Sequence, residues 1–218
     1  MPSLWYRLLY SYVNSLRTTK LAHYNRILRL IASLSPLKVV VDVGAGYGIV
    51  SDLIHKEVEI LLLIEKDTAL SGELARKKRE IKNVEVILAD AHNLPLTEEY
   101  ADLVYFHDSF DEIGNKTRAL LEAARIVRRE GYLAVLDWDG ARLLTRIKEV
   151  LLQKTGFPVK CWSLEETKRV IKKIGLKVII AQSNFGGSMI ILAKKPRLSN
   201  GGYRIHVERD HDKECSAI

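Results

Sequence analysis

The sequence predicts an α/β fold: a mostly parallel sheet with helices on both faces. Three observations carry this. Short runs rich in Val, Ile and Leu alternate with stretches whose apolar residues recur at every third or fourth position. The runs are apolar almost throughout, as strands covered on both sides require. The first run ends in "VGAGYG", with glycines at every second position before a helical pattern.

The elements follow in order. Leu4, Trp5, Leu8, Leu9, Tyr12, Val13 and Leu16 are spaced as one amphipathic helix, and Leu21, Tyr24, Leu28, Ile31 and Leu34 as a second. Pro36 closes this cap. "KVVVDVG" reads as the first buried strand, with a helix from about Gly48 to His55. "EILLLIE" is the second strand and "TALSGELARKKREI" a helix with a basic outer face. "VEVILAD" and "YADLVYFHD" are the third and fourth strands. "NKTRALLEAARIVRREG" reads as a helix that Gly131 is placed to stop. "YLAVLDW" is the fifth strand. The next helix has Asp139 as its expected N-cap and Gly156 just past its end. Ser163 and Glu166 have capping-box spacing and open another helix. "LKVIIAQS" and "SMIILAKK", separated by "NFGG", signal a hairpin, so the last strand should run antiparallel. Three segments result: cap helices over 1–35, a core domain over 36–195 and a polar tail over 196–218.

Composition narrows the setting. Of 218 residues, 47% are hydrophobic, enough for a sizeable core. Two distant cysteines, Cys161 and Cys215, make a disulfide framework or a disulfide-linked partner unexpected and point to the cytoplasm. Arginines interrupt the N-terminal apolar run, so it does not read as a signal peptide. The longest apolar run, "VEILLLIE", is too short to span a bilayer. The net charge of +7 is uneven. Residues 1–38 carry six basic side chains and no acid, residues 39–140 are net acidic, and residues 141–195 hold 12 basic against 3 acidic. Basic flanks around an acidic middle suit a polyanion, an acidic small molecule or an anionic membrane surface; they also suit plain solvation of helix faces.

The glycine loop carries the chemistry. Glycine allows φ > 0 and close approach of backbone to ligand. In a dinucleotide fingerprint the third glycine would stand at position 49, but Ile49 is there and Gly48 comes one residue early, which disfavours a pyrophosphate cradle. Asp42 lies two residues before Gly44. Glu65 ends the second strand, where a carboxylate can accept ribose hydroxyls. Asp90 ends the third, with Ala91 beside it, where an acid can meet an adenine amine or simply build a turn. Three acids at three consecutive strand ends form a stronger joint signal than any one alone.

"VVVDVGAGYG", "LLLIEKD", "VILADAHNLPLTEEYADLVYFHDSF" and "LLEAARIVRREGYLAVLDWD" resemble the ordered motifs of class I S-adenosylmethionine-dependent methyltransferases, in the group that includes the ubiquinone and menaquinone biosynthesis enzymes. The resemblance covers roughly residues 36–195. It implies a Rossmann-like, doubly wound, seven-stranded sheet with one antiparallel strand. It implies Gly44, Ala45, Gly46 and Gly48 around the methionine part of the cofactor with Asp42 nearby, Glu65 and Lys66 at the ribose, and Asp90 and Ala91 at the adenine. Phe106 and His107 would lie near the methyl-bearing sulfur, and the N-terminal helices over the cleft.

Methyl transfer from a sulfonium is an in-line displacement, and a base matters only where the acceptor must lose a proton. Candidates cluster in "FHDSFDE": His107 and Asp108 foremost, then Asp111 and Glu112. Tyr47 and Phe106 could face the sulfonium as cation–π partners. A hydrophobic or acidic small molecule, such as a quinone precursor, is the expected acceptor. RNA tracked by the basic flanks, peripheral membrane contact through the N-terminal helices, a non-catalytic binder and an NAD-dependent oxidoreductase are the alternatives. No Asn/Asp-Pro-Pro-aromatic motif follows the fourth strand. Cys161, expected away from the cleft, makes a poor candidate for base-carbon methylation. His206, His211 and Cys215 in the tail are zinc-binding residue types, but their spacing forms no closed set and no metal is expected.

Overall fold

The computed structural model describes residues 17–156, 158–184 and 186–197. The first expected cap helix and the tail beyond Arg197, with its two histidines and Cys215, lie outside these residues. A helix covers Arg17–Leu34 (α1). Seven strands follow: β1 Leu37–Val43, β2 Val58–Glu65, β3 Val84–Leu88, β4 Ala101–His107, β5 Val127–Trp138, β6 Lys177–Ser183 and β7 Ser188–Lys194. The intervening helices are α2 Ser51–Ile54, α3 Ser71–Glu80, α4 Lys116–Ile126, α5 Leu143–Lys154 and α6 Leu164–Lys173. The strand order is β3-β2-β1-β4-β5-β7-β6, and only β7 runs antiparallel to its neighbours. No helix among the described residues is long and apolar enough to cross a membrane.

Alternation along the strands sorts side chains into two cores. On one face Val40, Leu61, Leu63, Leu103, Tyr105 and Leu136 pack with Ile27, Leu30 and Ile31 of α1. On the other, Val41, Ile64, Val104, Phe106 and Val135 pack with Phe110 and the apolar side of α4. Below the sheet, Asp102 Oδ2 accepts from the backbone N–H groups of Lys38 and Val39, both at 2.8 Å, and Asp102 pairs with Arg128. That one carboxylate ties together the starts of β1, β4 and β5.

Three local expectations change, and one helix has an exposed apolar face. Helix α4 ends at Ile126, and "VRREG" belongs to β5. Gly131 therefore stops no helix: a Cβ there would lie 2.9 Å from the carbonyl oxygens of Arg128 and Asp102, so close packing between strands selects it. The short helix after the glycine loop starts only at Ser51, because Gly48 has φ +65°. Asp139 does not cap α5; its Oδ1 accepts from Ala141 N (3.0 Å) and Leu164 N (3.1 Å), joining two loops. Finally, α5 turns its apolar residues outward: Leu143, Leu144, Ile147, Val150 and Leu151 are exposed, while Thr145 is fully buried. Polar pins hold it that way. Thr145 donates to Gly187 O (3.3 Å), Arg146 Nε donates to Gly140 O (2.5 Å), and Lys148 Nζ lies 4.0 Å from the Trp138 ring centroid.

Helix α1 shares the core that β1 and β4 build. Ile31→Ala should therefore cost about 2–5 kcal/mol in chemical denaturation, the range for emptying a packed Ile site. A loss below about 1 kcal/mol would make α1 a surface attachment.

Candidate active site

The sheet reverses its winding between β1 and β4, so the loops after these strands leave in opposite directions and open a crevice at the C-terminal strand ends. The loop after β1 lines it first. Gly44, Gly46 and Gly48 all have positive φ, at +77°, +56° and +65°. Gly44 N and Ala45 N both donate to Ile64 O, at 2.9 and 3.0 Å, folding the loop back over β2. A Cβ on Gly44 would stand 2.6 Å from Ser109 Cβ, across the crevice. Ser109 Oγ in turn donates to Val43 O at 2.7 Å, locking the two diverging loops together. Nothing lies within 4 Å of a Cβ built on Gly46.

Glu65 is the loop's second anchor. Its Oε2 accepts from Gly46 N and its Oε1 from Lys66 N and Asp67 N, all at 2.8 Å. A carboxylate offers about four acceptor sites, so one remains for a ligand hydroxyl. Asp90, half-exposed, accepts from His92 N (2.8 Å) and lies 2.6 Å from His92 Nδ1. The N–H of His92 holds its carboxyl below the usual range, and the charges of His92 and Lys66 add to this. Asp90 thus builds a turn while keeping its charge. Because β3, β2 and β1 are consecutive in the sheet, the three acids form one arc beside the glycine loop.

Asp42 is the most deeply buried of the three, only 2% exposed. It stands in register with Tyr105 of β4. No hydrogen bond of ordinary geometry reaches the buried Asp42 Oδ1 or the Tyr105 hydroxyl, although the two groups face each other closely enough for the hydroxyl to act on the carboxyl. Burial pushes the Asp42 carboxyl up to about 7; the Tyr105 hydroxyl opposes the rise and the Glu65 charge adds to it.

The far wall comes from β4 and β5. His107 stacks on Tyr24 of α1, with ring centroids 5.7 Å apart and planes at 20°. Asp108 has φ +50°, and its Oδ2 lies 3.9 Å from His107 Nδ1. Left-handed backbone is uncommon outside glycine, and here it turns the chain at the strand end. Phe106 corrects an expectation: its ring is fully buried on the opposite face, 5.4 Å from Phe110, so it presents only backbone to the crevice. Alternation dictates this, since His107 points to the α1 side. Below the wall, Asp137 accepts from Phe110 N (2.8 Å), Asp111 N (3.3 Å) and Trp138 N (2.6 Å). Lys148 Nζ lies 3.6 Å from Asp111 Oδ2. Glu112 is exposed at its surface but crowded by protein, and partial desolvation with the charges of Asp111 and Glu65 pushes its carboxyl up to about 7.

Cys161 lies nearer to this region than its sequence position suggests, with Sγ 4.0 Å from Asp111 Oδ2. Burial, with the charges of Asp111 and Asp137, pushes its thiol up to about 12. A thiol held protonated is a poor nucleophile at neutral pH. Sequence reasoning did not single out Ser109, Tyr105 or Lys148. The first two could have been found by reading the fourth strand at a period of two.

Residues 41–135 match the methyltransferase domain family. The chain carries a class I S-adenosylmethionine-dependent methyltransferase domain. Its curated relatives include ubiquinone and menaquinone biosynthesis enzymes. A demethylmenaquinone methyltransferase of Thermotoga maritima is 30% identical over 112 residues, 51% of this chain and 48% of that protein. A sarcosine/dimethylglycine N-methyltransferase of Halorhodospira halochloris is 31% identical over 116 residues, 51% of this chain and 42% of that one. The chain thus spans about half the length of the curated relatives it matches. The crystal structure of an S-adenosylmethionine-dependent methyltransferase from Thermotoga maritima superposes with a TM-score of 0.68 at 24% identity, covering 87% of this chain and 96% of that one. At that identity the likeness speaks to the fold.

The methyltransferase crevice fits its family's cofactor on two structural grounds. Asp42 Oδ1, which no hydrogen bond of ordinary geometry reaches, is an acceptor suited to an ammonium group, and Glu65 keeps acceptor capacity for a ribose hydroxyl.

Two predictions follow from this geometry. An Asp whose folded pKa lies above its unfolded one costs stability once it ionises. Asp42→Asn should therefore raise unfolding free energy by a few kcal/mol at pH 8, and the gain should fade as pH falls from 7 toward 4. Denaturant titrations across that range check this; a gain independent of pH would remove the buried charge from the account. Gly44→Ala should destabilise by about 2 kcal/mol or more, and Ser109→Gly should recover part of the loss by removing the contact while leaving the φ strain. Strictly additive single-variant losses would mean the two loops are not coupled.

Proposed function

We propose that this protein transfers a methyl group from S-adenosylmethionine to a small-molecule acceptor at the crevice between β1 and β4. The observation that carries this reading is the arc of Asp42, Glu65 and Asp90 beside a glycine loop held open by Ser109 and Glu65. Asp42 would hold the methionine ammonium, and the backbone of Gly44, Ala45, Gly46 and Gly48 would pass close beneath the methionine chain. Glu65 and Lys66 would hold the ribose, and Asp90 with Ala91 the adenine. When bound, the cofactor supplies a methyl carbon already activated by the sulfonium charge. The protein's part is then alignment and exclusion of water.

The acceptor side is the wall of His107, Tyr24 and Trp138. The Tyr24–His107 stack presents a flat surface for an aromatic or planar acceptor and fixes the imidazole. If the acceptor must lose a proton, His107, Asp108 and Glu112 are the groups within the crevice to take it; Glu112, pushed up to about 7, can both hold and release a proton near neutrality. The relatives' names speak of demethylmenaquinone and of sarcosine or dimethylglycine, both small molecules, which favours that class over RNA here. Base-carbon methylation through Cys161 is disfavoured by its raised thiol pKa.

The test is thermal protection of the full chain. S-adenosylhomocysteine at a hundredfold excess over its Kd should stabilise the native state by about 2.7 kcal/mol, and NAD should give no shift. Glu65→Ala should abolish most of that protection at the same ligand concentration. Protection by NAD instead, or none by S-adenosylhomocysteine, would overturn the reading. Transfer of labelled methyl into extract fractions then separates acceptor classes: organic-extractable label supports the small molecule, and nuclease-sensitive label replaces it with RNA.

A further inference from the structure

A second hollow opens on the α1 side of the sheet, between α1, the edge strand β6 and its neighbour β7. It encloses ≈ 320 Å³. Arg26, Arg29, Leu30 and Ser33 line it from the helix, and Ile180, Gln182, Ser183, Asn184 and Ile190 from the strands and their turn. Leu30, Ile180 and Ile190 belong to the core that α1 shares and give it an apolar floor. No carboxylate is among its lining residues. Arg26 and Arg29 are three apart, on one helix face. Arg26 Nη1 donates to Ser188 Oγ at 2.6 Å, which uses one of its five N–H groups. Asn184 Oδ1 accepts from Ser188 N at 2.9 Å, which directs its amide nitrogen, a donor, away from that bond. The hollow therefore pairs apolar walls with an excess of donors and positive charge.

Its place relative to the crevice is fixed by α1. Tyr24 stacks on His107 at the end of β4, and two residues on Arg26 bonds Ser188, the register partner of Trp138 at the end of β5. At 1.5 Å rise per residue, Arg26 and Arg29 lie roughly 3 and 8 Å along the helix from Tyr24. We infer that this cavity binds the acidic end of the methyl acceptor: an oxyanion, carboxylate or phosphate, carried on an apolar body and held by Arg26 and Arg29 away from the atom that receives the methyl group. The planar guanidinium fork suits either oxyanion. The assignment to an acceptor rests on the methyl-transfer reading above; the anion cavity itself does not.

The experiment titrates the full chain with octanoate, octyl phosphate and octanol by calorimetry at low salt, with S-adenosylhomocysteine binding measured in parallel. At least one of the two acids should bind ten-fold or more tightly than octanol, and the preferred one names the oxyanion. Arg29→Gln should erase that ratio without changing S-adenosylhomocysteine affinity, and Arg29→Glu should reverse it. Equal binding of the three probes, or a ratio that persists in both Arg29 variants and in an Arg26→Gln/Arg29→Gln double variant, overturns the cavity. The acceptor role has its own readout. Labelled product should be retained by an anion-exchange resin at pH 9, and Arg29→Gln should raise acceptor KM by ten-fold or more. Neutral labelled product, or an unchanged KM, overturns that role. If S-adenosylhomocysteine fails to bind, the methyl-transfer reading and the acceptor role fall together, while the octanoate ratio still decides the cavity.

Discussion

The arrangement depends on one steric constraint, the contact between Gly44 and Ser109. Two chains leave adjacent strands at the winding reversal and must diverge within a few residues. A side chain at Gly44 would meet Ser109 Cβ at 2.6 Å, so the loop after β1 has to be bare there. With φ +77° it can then fold back onto Ile64 O. That fold-back brings Gly46 N to Glu65, and Glu65 in turn fixes the first two residues after β2. One tolerated close approach thus orders the loop, the second strand end and the carboxylate between them.

The charges near the crevice are distributed by the same geometry. Backbone N–H groups fix both Glu65 and Asp90, and the one from His92 holds the Asp90 carboxyl below the usual range. Asp42 has a buried oxygen that no hydrogen bond of ordinary geometry reaches and a carboxyl pushed up to about 7, so it gains most from a cation arriving beside it. On the other face, Asp111 and Asp137 are buried as well but are met by Lys148 and by three backbone donors. Burial alone therefore does not separate these acids: Asp137 is met by three backbone donors, whereas Asp42 has only the Tyr105 hydroxyl beside it.

Much of this was legible in the sequence because strand and glycine signals are local. The seven strands, the hairpin and the capping box at Ser163 follow from runs, periods and spacing. The misread residues depended on distant neighbours. Gly131 looked like a helix stop, yet its role is set by Asp102 O on another strand. Asp139 looked like a cap, yet it reaches Leu164, 25 residues on. Cys161 looked remote, yet chain return places it on Asp111, 50 residues earlier. Phe106 was assigned to the crevice by its position at the strand end, where the period of two should have been applied: with His107 facing α1, its neighbour cannot.

Helix α1 joins these levels, because 3.6-residue periodicity lets one helix do three things at once. Ile27 and Ile31, both fully buried, fasten it to the core. Tyr24, one turn before Ile27, reaches the end of β4 and stacks on His107. Arg26 and Arg29 lie on the adjoining face toward β6 and β7. A shift of the helix by one residue would turn each set by about 100° and lose all three contacts together. The register is therefore held by the largest free energy among them, burial of the two isoleucines, and the polar residues are positioned at no further ordering cost. Changes at Tyr24, Arg26 or Arg29 can then alter what the crevice accepts while the core keeps the helix in place.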